Sequence, residues 1–237
     1  MATLDDKVIV FDDSCPMCRL YTYWFVAWGF LRNENRVGFA NLDPRILAQL
    51  DLNRARHEIP LFDRRSGVTI YGLPALCFVL ASRWTWLAPL FESRVFRGLM
   101  FPVYQFVTYN RRVMAGCRSC SGFDCSPDLN RPYRLALLLL AFTLAIGVLG
   151  LIELKSSVAW MAACLALSIL AISVLLAFFT RGIRRWNLLG NCASILGMFS
   201  FVISPLIFLD QSSLISNAII LFATAMVGWE FHRRCVN

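Results

Sequence analysis

The chain has 237 residues, nine of them cysteine, with a formal net charge of +8 and a hydrophobic content of 58%. Together with a mean hydropathy of +0.59, this agrees with a membrane protein, and by composition alone also with an unusual apolar core. Were the chain to face the cytoplasm, which keeps thiols reduced, nine cysteines would argue against a static disulfide framework and for thiols that are reactive, metal-bound or buried.

The chain opens on Met1-Ala2-Thr3-Leu4-Asp5-Asp6, polar and acidic and without the pattern of a signal peptide. An apolar run from Val8 to Asp12 predicts a strand, and Asp12-Asp13-Ser14-Cys15-Pro16-Met17-Cys18 follows it directly. Pro16 suits the first helical position, so a helix is expected from about Pro16 into Tyr21-Thr22-Tyr23-Trp24-Phe25. A cysteine at a helix start lies near the positive end of the macrodipole and unpaired backbone N–H groups, which favour the thiolate; a second cysteine one turn on can close a disulfide. This reads as a dithiol–disulfide site at the carboxyl end of a strand. Cys15, nearer the helix start and expected to be the more exposed, is the attacking sulfur, and Cys18 resolves the mixed disulfide. Asp12 accepts a proton, raises the thiol pKa by like-charge repulsion, or caps the turn, and the residues alone do not choose.

Further on, Arg36 to Leu42 predicts a second strand, and Asp43-Pro44 opens a helix running toward Leu50 with an acidic cap and a proline at its first position. Ile59 to Asp63 and Val68 to Tyr71 form a hairpin around Arg64-Arg65-Ser66-Gly67, and Leu73 to Ala81 closes the unit as a helix. The order β-α-β-α-β-β-α over residues 1–83 is that of an α/β, thioredoxin-like domain.

The apolar strand followed by Asp12, Cys15 and Cys18 in D-x-x-C-x-x-C spacing resembles the signature of the DCC (DUF393) family of predicted thiol-disulfide oxidoreductases. The signature covers seven residues, and a weaker pattern extends to about Gly116. Asp13 stands where many members of that family have glycine. The resemblance implies a redox-active C-x-x-C site that needs no cofactor and acts on a thiol or disulfide protein substrate. Thioredoxin-like folds also carry an X-Pro pair in the cis form before the third strand, facing the dithiol. Ile59-Pro60 occupies the equivalent place, which makes Pro60 a candidate site residue.

Residues 84–130 form an aromatic helical connector, with Arg94, Arg97, Arg111 and Arg112 among Trp, Phe and Tyr, and breaks at Pro89 and Pro102. Its apolar positions recur at helical spacing. These helices either pack on the sheet or lie in the membrane interface. The connector ends in a cysteine cluster, Cys117, Cys120 and Cys125. Such spacing suits tetrahedral zinc, with His57, Cys235, Cys15 or Cys18 as the missing fourth ligand; a second dithiol in exchange with Cys15 and Cys18, or inert thiols, are the other readings.

Residues 131–237 contain four apolar stretches: Leu135 to Ile152, Val158 to Thr180, Leu188 to Leu209 and Leu214 to Phe231. Each approaches the ~20 residues that cross a bilayer core, so an all-α four-helix transmembrane bundle is expected, packed through small residues. Arg131 and Arg134, then Arg181, Arg184 and Arg185, then Arg233 and Arg234 flank alternate ends; the other connectors carry Glu153 with Lys155, and Asp210. The positive-inside rule therefore places both termini in the cytoplasm. This accounts for part of the net charge against anionic lipid and leaves no need for nucleic acid. Two functions fit: a membrane-anchored thiol-disulfide oxidoreductase facing the cytoplasm, or a membrane protein that binds or transfers a soft metal through its two cysteine clusters. The oligomeric state is open on either reading.

Overall fold

The computed structural model describes residues 4–116, 125–152, 177–209 and 214–236, with a few isolated positions between 163 and 175. The chain divides into two compact units, Met1–Asp128 and Leu129–Asn237. The aromatic connector falls almost wholly in the first.

The first unit is built on a four-stranded mixed sheet of order β2-β1-β3-β4, from β1 (Lys7–Phe11), β2 (Arg36–Gly38), β3 (Pro60–Asp63) and β4 (Thr69–Tyr71). β1 runs parallel to β2 and antiparallel to β3, which pairs antiparallel with β4. The apolar run of β1 is buried on both faces, as a central strand requires. Val8 and Val10 pack with Phe39, Leu42, Leu50, Phe62 and Tyr71 on one side. Ile9 packs with Phe30, Leu31, Leu61, Ala75 and Val79 on the other. Helices α1 (Pro16–Ala27) and α4 (Leu73–Arg83) supply the second of these layers. Thr22 on α1 donates to the carbonyl of Cys18, 2.6 Å, and accepts from Arg36 Nε, 2.9 Å, which ties the helix to β2.

Pairing along β2 stops at Gly38, short of the expected Leu42, and Phe39–Asn41 forms a 3₁₀ turn. The cause is Asp13. Its carboxylate takes the Ala40 N–H, 2.9 Å, and lies so close to Gly38 that a Cβ there would fall 1.6 Å from Oδ1. A side-chain acceptor thus replaces the next ladder partner. The helix after Asp43 is also shorter than expected: α2 spans Pro44–Leu47, capped by Asp43 through the Arg45 N–H, 2.8 Å. A separate α3, Leu52–Ala55, starts at its own cap, Asp51.

The described peptide bonds are all trans, which corrects the cis expectation at Ile59-Pro60. Pro60 is the first residue of β3, opposite Tyr71, and Gly72 N–H donates to the Ile59 carbonyl, 2.9 Å. The first strand position asks no ladder N–H of proline, and trans is the lower-energy isomer by about 0.5–1 kcal/mol.

Lys7 and Asp63 face each other across β1 and β3 and form an ion pair at 2.8 Å. The Lys7 ammonium, followed by the Arg65 N–H, holds the Asp63 carboxyl down at about 2. A depressed carboxyl stabilises the fold above its unfolded value of ~3.9. This contribution is therefore expected to be complete at pH 5 and to disappear as pH falls from about 4 toward 2. Urea unfolding of wild type and Asp63→Asn across that range checks it: the two curves should differ at pH 5 and converge at the acid end.

The unit ends with α5 (Ala88–Glu92) and the long α6 (Arg94–Ala115), which contains Pro102. α6 has two characters. Its first half exposes Val95, Leu99, Phe101 and Val103, whereas its second half buries Thr108, Asn110, Arg111 and Val113.

The second unit contains α7 (Arg131–Leu151), α8 (Gly182–Ile203) and α9 (Leu214–Phe231). Among the described residues three helical stretches are long and apolar enough to cross a membrane: Arg131–Leu151, Gly182–Ile207 and Leu214–Arg234. The expected span Val158 to Thr180 lies largely outside the described residues. Ile195, Phe199, Ile203, Ile220, Ala223 and Val227 form the main apolar cluster. Glu230 is paired with Arg233, 2.6 Å, and with Arg234. On α7, Arg134 is buried against Gly190 of α8.

Candidate functional site

The dithiol stands where β1 ends and α1 begins. Asp12 closes the strand: its Oδ1 accepts from both the N–H and the hydroxyl of Ser14, 3.0 and 2.6 Å, and its carbonyl accepts from the Cys15 N–H, 3.2 Å. This turn sets Cys15 as the N-cap residue, extended at φ −92° and ψ 111°, with Pro16 at the first helical position. Cys18 follows one turn on. Both are thiols, and the Cys15 side chain is hydrogen-bonded to that of Cys18.

The expected exposure of Cys15 is overturned. Cys15 is 0% exposed and Cys18 3%, enclosed with Phe11, Met17, Tyr21 and Ala115. The cover comes from α6, whose second half crosses the site. Arg111 is its central residue. Nη1 lies 3.9 Å from Cys18 Sγ, and Nη2 lies 3.8 Å from Asp12 Oδ2. Nη2 also donates to the carbonyl of Arg56, 3.0 Å, and to that of Cys125. One guanidinium thus gathers the strand end, the first helix, the loop before β3 and the segment after α6. Asp12 Oδ2 is buried without a hydrogen bond and faces that cation.

Two tyrosines lie on the helices that flank the site. Tyr21 is hydrogen-bonded to the Cys18 side chain, and Tyr104 of α6 accepts the Ile59 N–H, 3.3 Å. Burial pushes both phenols above their usual range. Cys18 is raised first by its hydrogen bond to Cys15 and then by burial, while Arg111 pulls the other way. Burial disfavours a charged Arg111, but the neighbouring Cys18, Tyr21, Asp12 and Cys15 outweigh it and hold the guanidinium protonated. Cys18 is thus held as a thiol, bonded to Cys15 and beside a permanent cation.

The structure joins Asp12, Cys15 and Cys18, as the spacing predicts. Pro60 enters only indirectly, through its neighbour Ile59 and the bond from that N–H to Tyr104. Cys125 is buried in the apolar cluster of Val8, Val10 and Phe62, and its contact with the site is its backbone carbonyl. Cys117 and Cys120 lie outside the described residues, as does the side chain of Cys235. His57 contacts Asp128, 3.2 Å, and the Tyr109 ring. Among the described residues no three His, Cys, Asp or Glu side chains converge as a metal site.

Arg111, Tyr104 and Tyr21 are the site residues that sequence reading missed. A signal was present: Tyr104, Thr108, Arg111 and Ala115 recur at helical spacing and mark one face of α6. Polar groups on a face flanked by apolar residues imply a buried polar partner. No protein-family model, curated protein or solved structure matches the chain.

Proposed function

We propose that the protein is a membrane-anchored thiol-disulfide oxidoreductase in which Cys15 and Cys18 exchange two electrons with a partner protein. The observation that carries this reading is the hydrogen-bonded pair of thiols at the start of α1, beside a buried carboxylate and a buried arginine. Neutral packing requires neither charge. A carboxylate and a guanidinium held beside two sulfurs are groups that move protons and stabilise thiolates. The strand order β2-β1-β3-β4, with β3 reversed, supports a thioredoxin-like fold and with it the resemblance to the DCC family. The three apolar helices, the further apolar stretch Val158 to Thr180 and the arginines at alternate ends support four spans with both termini cytoplasmic.

The exchange balances as follows. The Cys15 thiolate attacks one sulfur of a partner disulfide, whose other sulfur leaves as a thiolate. Cys18, deprotonated in turn, attacks Cys15 Sγ, releases the partner's remaining sulfur and forms the Cys15–Cys18 disulfide. The partner gains two electrons and the dithiol loses two electrons and two protons; the protons end on the partner's two sulfurs, and Asp12 can relay them one at a time. The reverse sequence oxidises a partner dithiol.

The test is a redox titration of the full chain in lipid, with alkylation and mass mapping of every cysteine, before and after chelation. Paired oxidation of Cys15 and Cys18 at one potential, unchanged by chelator, is the expected result. Release of both only on metal removal, together with Cys117 and Cys120, would overturn the redox assignment in favour of a ligand set.

A further inference from the structure

We infer that Arg111 is the positioning residue of the dithiol, the cation that receives the negative charge on the Cys18 sulfur once Cys15 is bonded to a partner sulfur. This rests on the redox reading above and assigns within it the group that drives the second step.

The argument starts from what surrounds Cys18 Sγ. The Cys15 thiol and Tyr21 of α1 are hydrogen-bonded to it, Arg111 Nη1 approaches from α6 at 3.9 Å, and Asp12 stands at the end of β1. Tyr104 of α6 acts on Tyr21 only through its charge, which pushes that phenol further up. Of these groups only Arg111 carries positive charge, and it is fixed in place from four directions by Cys18, Asp12 and the carbonyls of Arg56 and Cys125. A cation that bonds to two backbone carbonyls cannot swing away to solvent, so its position relative to the sulfur is preorganised.

The same geometry orders the two steps. In the resting pair the strongest influence against ionising Cys18 is its hydrogen bond to Cys15. In that bond Cys18 donates to the Cys15 sulfur; bonding Cys15 to a partner sulfur makes it a neutral, weaker acceptor, so the restraint loosens while Arg111 stays. Cys18 then ionises against Arg111 and attacks Cys15 Sγ; the Cys15–partner bond breaks and its electron pair leaves on the partner sulfur. In the reverse direction an incoming partner thiolate attacks Cys15 Sγ, and Cys18 leaves as the thiolate facing Arg111. In both directions the sulfur that carries charge in the intramolecular step is Cys18. A resolving thiol that ionises only after the first bond has formed stays protonated until it is needed.

Cys15→Ala reproduces the engaged state by removing the Cys15 thiol. The thiolate absorbance of Cys18 is followed against pH in full-length protein in nanodiscs, with Cys15→Ala/Cys18→Ala subtracted to cancel the remaining cysteines. The Cys18 midpoint is expected to fall in Cys15→Ala relative to wild type. Adding Arg111→Met should raise it by about 1–3 pH units, the range for loss of an adjacent opposite charge, with ~10- to 1000-fold less thiolate at neutral pH. Arg111→Lys should restore most of the ionisation, because it keeps the charge. If Arg111→Met fails to fold, Arg111→Gln against Arg111→Lys carries the comparison. Identical midpoints with and without the positive charge in folded variants would overturn the inference, as would a Cys18 midpoint no lower in Cys15→Ala than in wild type. The titration needs no partner protein. A wild-type pair that forms no disulfide therefore counts against the redox reading alone, and a normal disulfide with a charge-insensitive Cys18 counts against Arg111 alone.

Discussion

Full-length protein carrying Cys18→Ser is expected to accumulate a mixed disulfide through Cys15, while Cys15→Ser accumulates none and net exchange falls to background in both. The asymmetry follows from the positions of the two sulfurs. Cys18 is hydrogen-bonded to Cys15 and Tyr21 and faces Arg111, so three groups stand around its sulfur. Cys15 is the N-cap, at the junction where the strand turns into the helix. Removing Cys18 leaves the first bond nothing to resolve it; removing Cys15 leaves a sulfur shut behind Tyr21 and α6. Both sulfurs are enclosed, so trapping must wait for a local opening of the cover, which includes Ala115 at the end of α6. Helix ends open at a lower free energy than a core strand. Urea below the unfolding transition should therefore accelerate trapping in Cys18→Ser. Non-reducing electrophoresis with mass mapping of the linked cysteine reads both effects. Equal trapping by the two variants would reverse the order of attack.

The central strand was legible because its signal is local. Val8, Ile9 and Val10 form a run that suits a strand buried on both faces, and Pro16 marks the helix start two residues before Cys18. The D-x-x-C-x-x-C spacing likewise brought Asp12, Cys15 and Cys18 together from seven adjacent residues. What closes the site was not legible in that stretch. Arg111 reaches Cys18 from 93 residues away, and the burial of both thiols depends on that packing. A helix-start cysteine is commonly read as exposed because the helix end is; here a second helix lies across it. The shortening of β2 has the same origin. Nothing in Arg36 to Leu42 signals that the Asp13 carboxylate will take the Ala40 N–H, yet that one bond ends the ladder. At Pro60 the resemblance implied a cis bond, and the pairing of β3 with β4 accommodates the trans form. The apolar stretches of the second half were legible by length alone, and three of them coincide with long helices.

Gly190→Ala is expected to destabilise the second unit by about 1–3 kcal/mol, the usual cost of forcing an extra methyl into a packed interior. A Cβ at position 190 would lie 2.3 Å from Arg134 Nη1 and 2.9 Å from its Cδ. Glycine at this point of α8 is what lets the arginine of α7 lie between the helices. Arg134 itself is only 5% exposed, and its Nε and Nη1 have no hydrogen-bond partner among the described residues. A buried cation with two nitrogens unsatisfied opposes packing, and its replacement by an apolar side chain of similar length is expected to be neutral or stabilising. Arg134→Met is therefore expected to raise the thermal unfolding temperature in detergent or leave it unchanged. The double variant Arg134→Met/Gly190→Ala should recover most of the loss seen with Gly190→Ala, because the flexible thioether can yield where the guanidinium cannot. Such non-additivity is the signature of direct contact. An additive double variant would mean that Gly190 is required by the backbone of α8 and not by Arg134. Arg134 thus works against packing at the arginine-rich start of α7, a helix long and apolar enough to cross a membrane. The helix pair accepts a buried cation at its arginine-rich end because Gly190 leaves room for one.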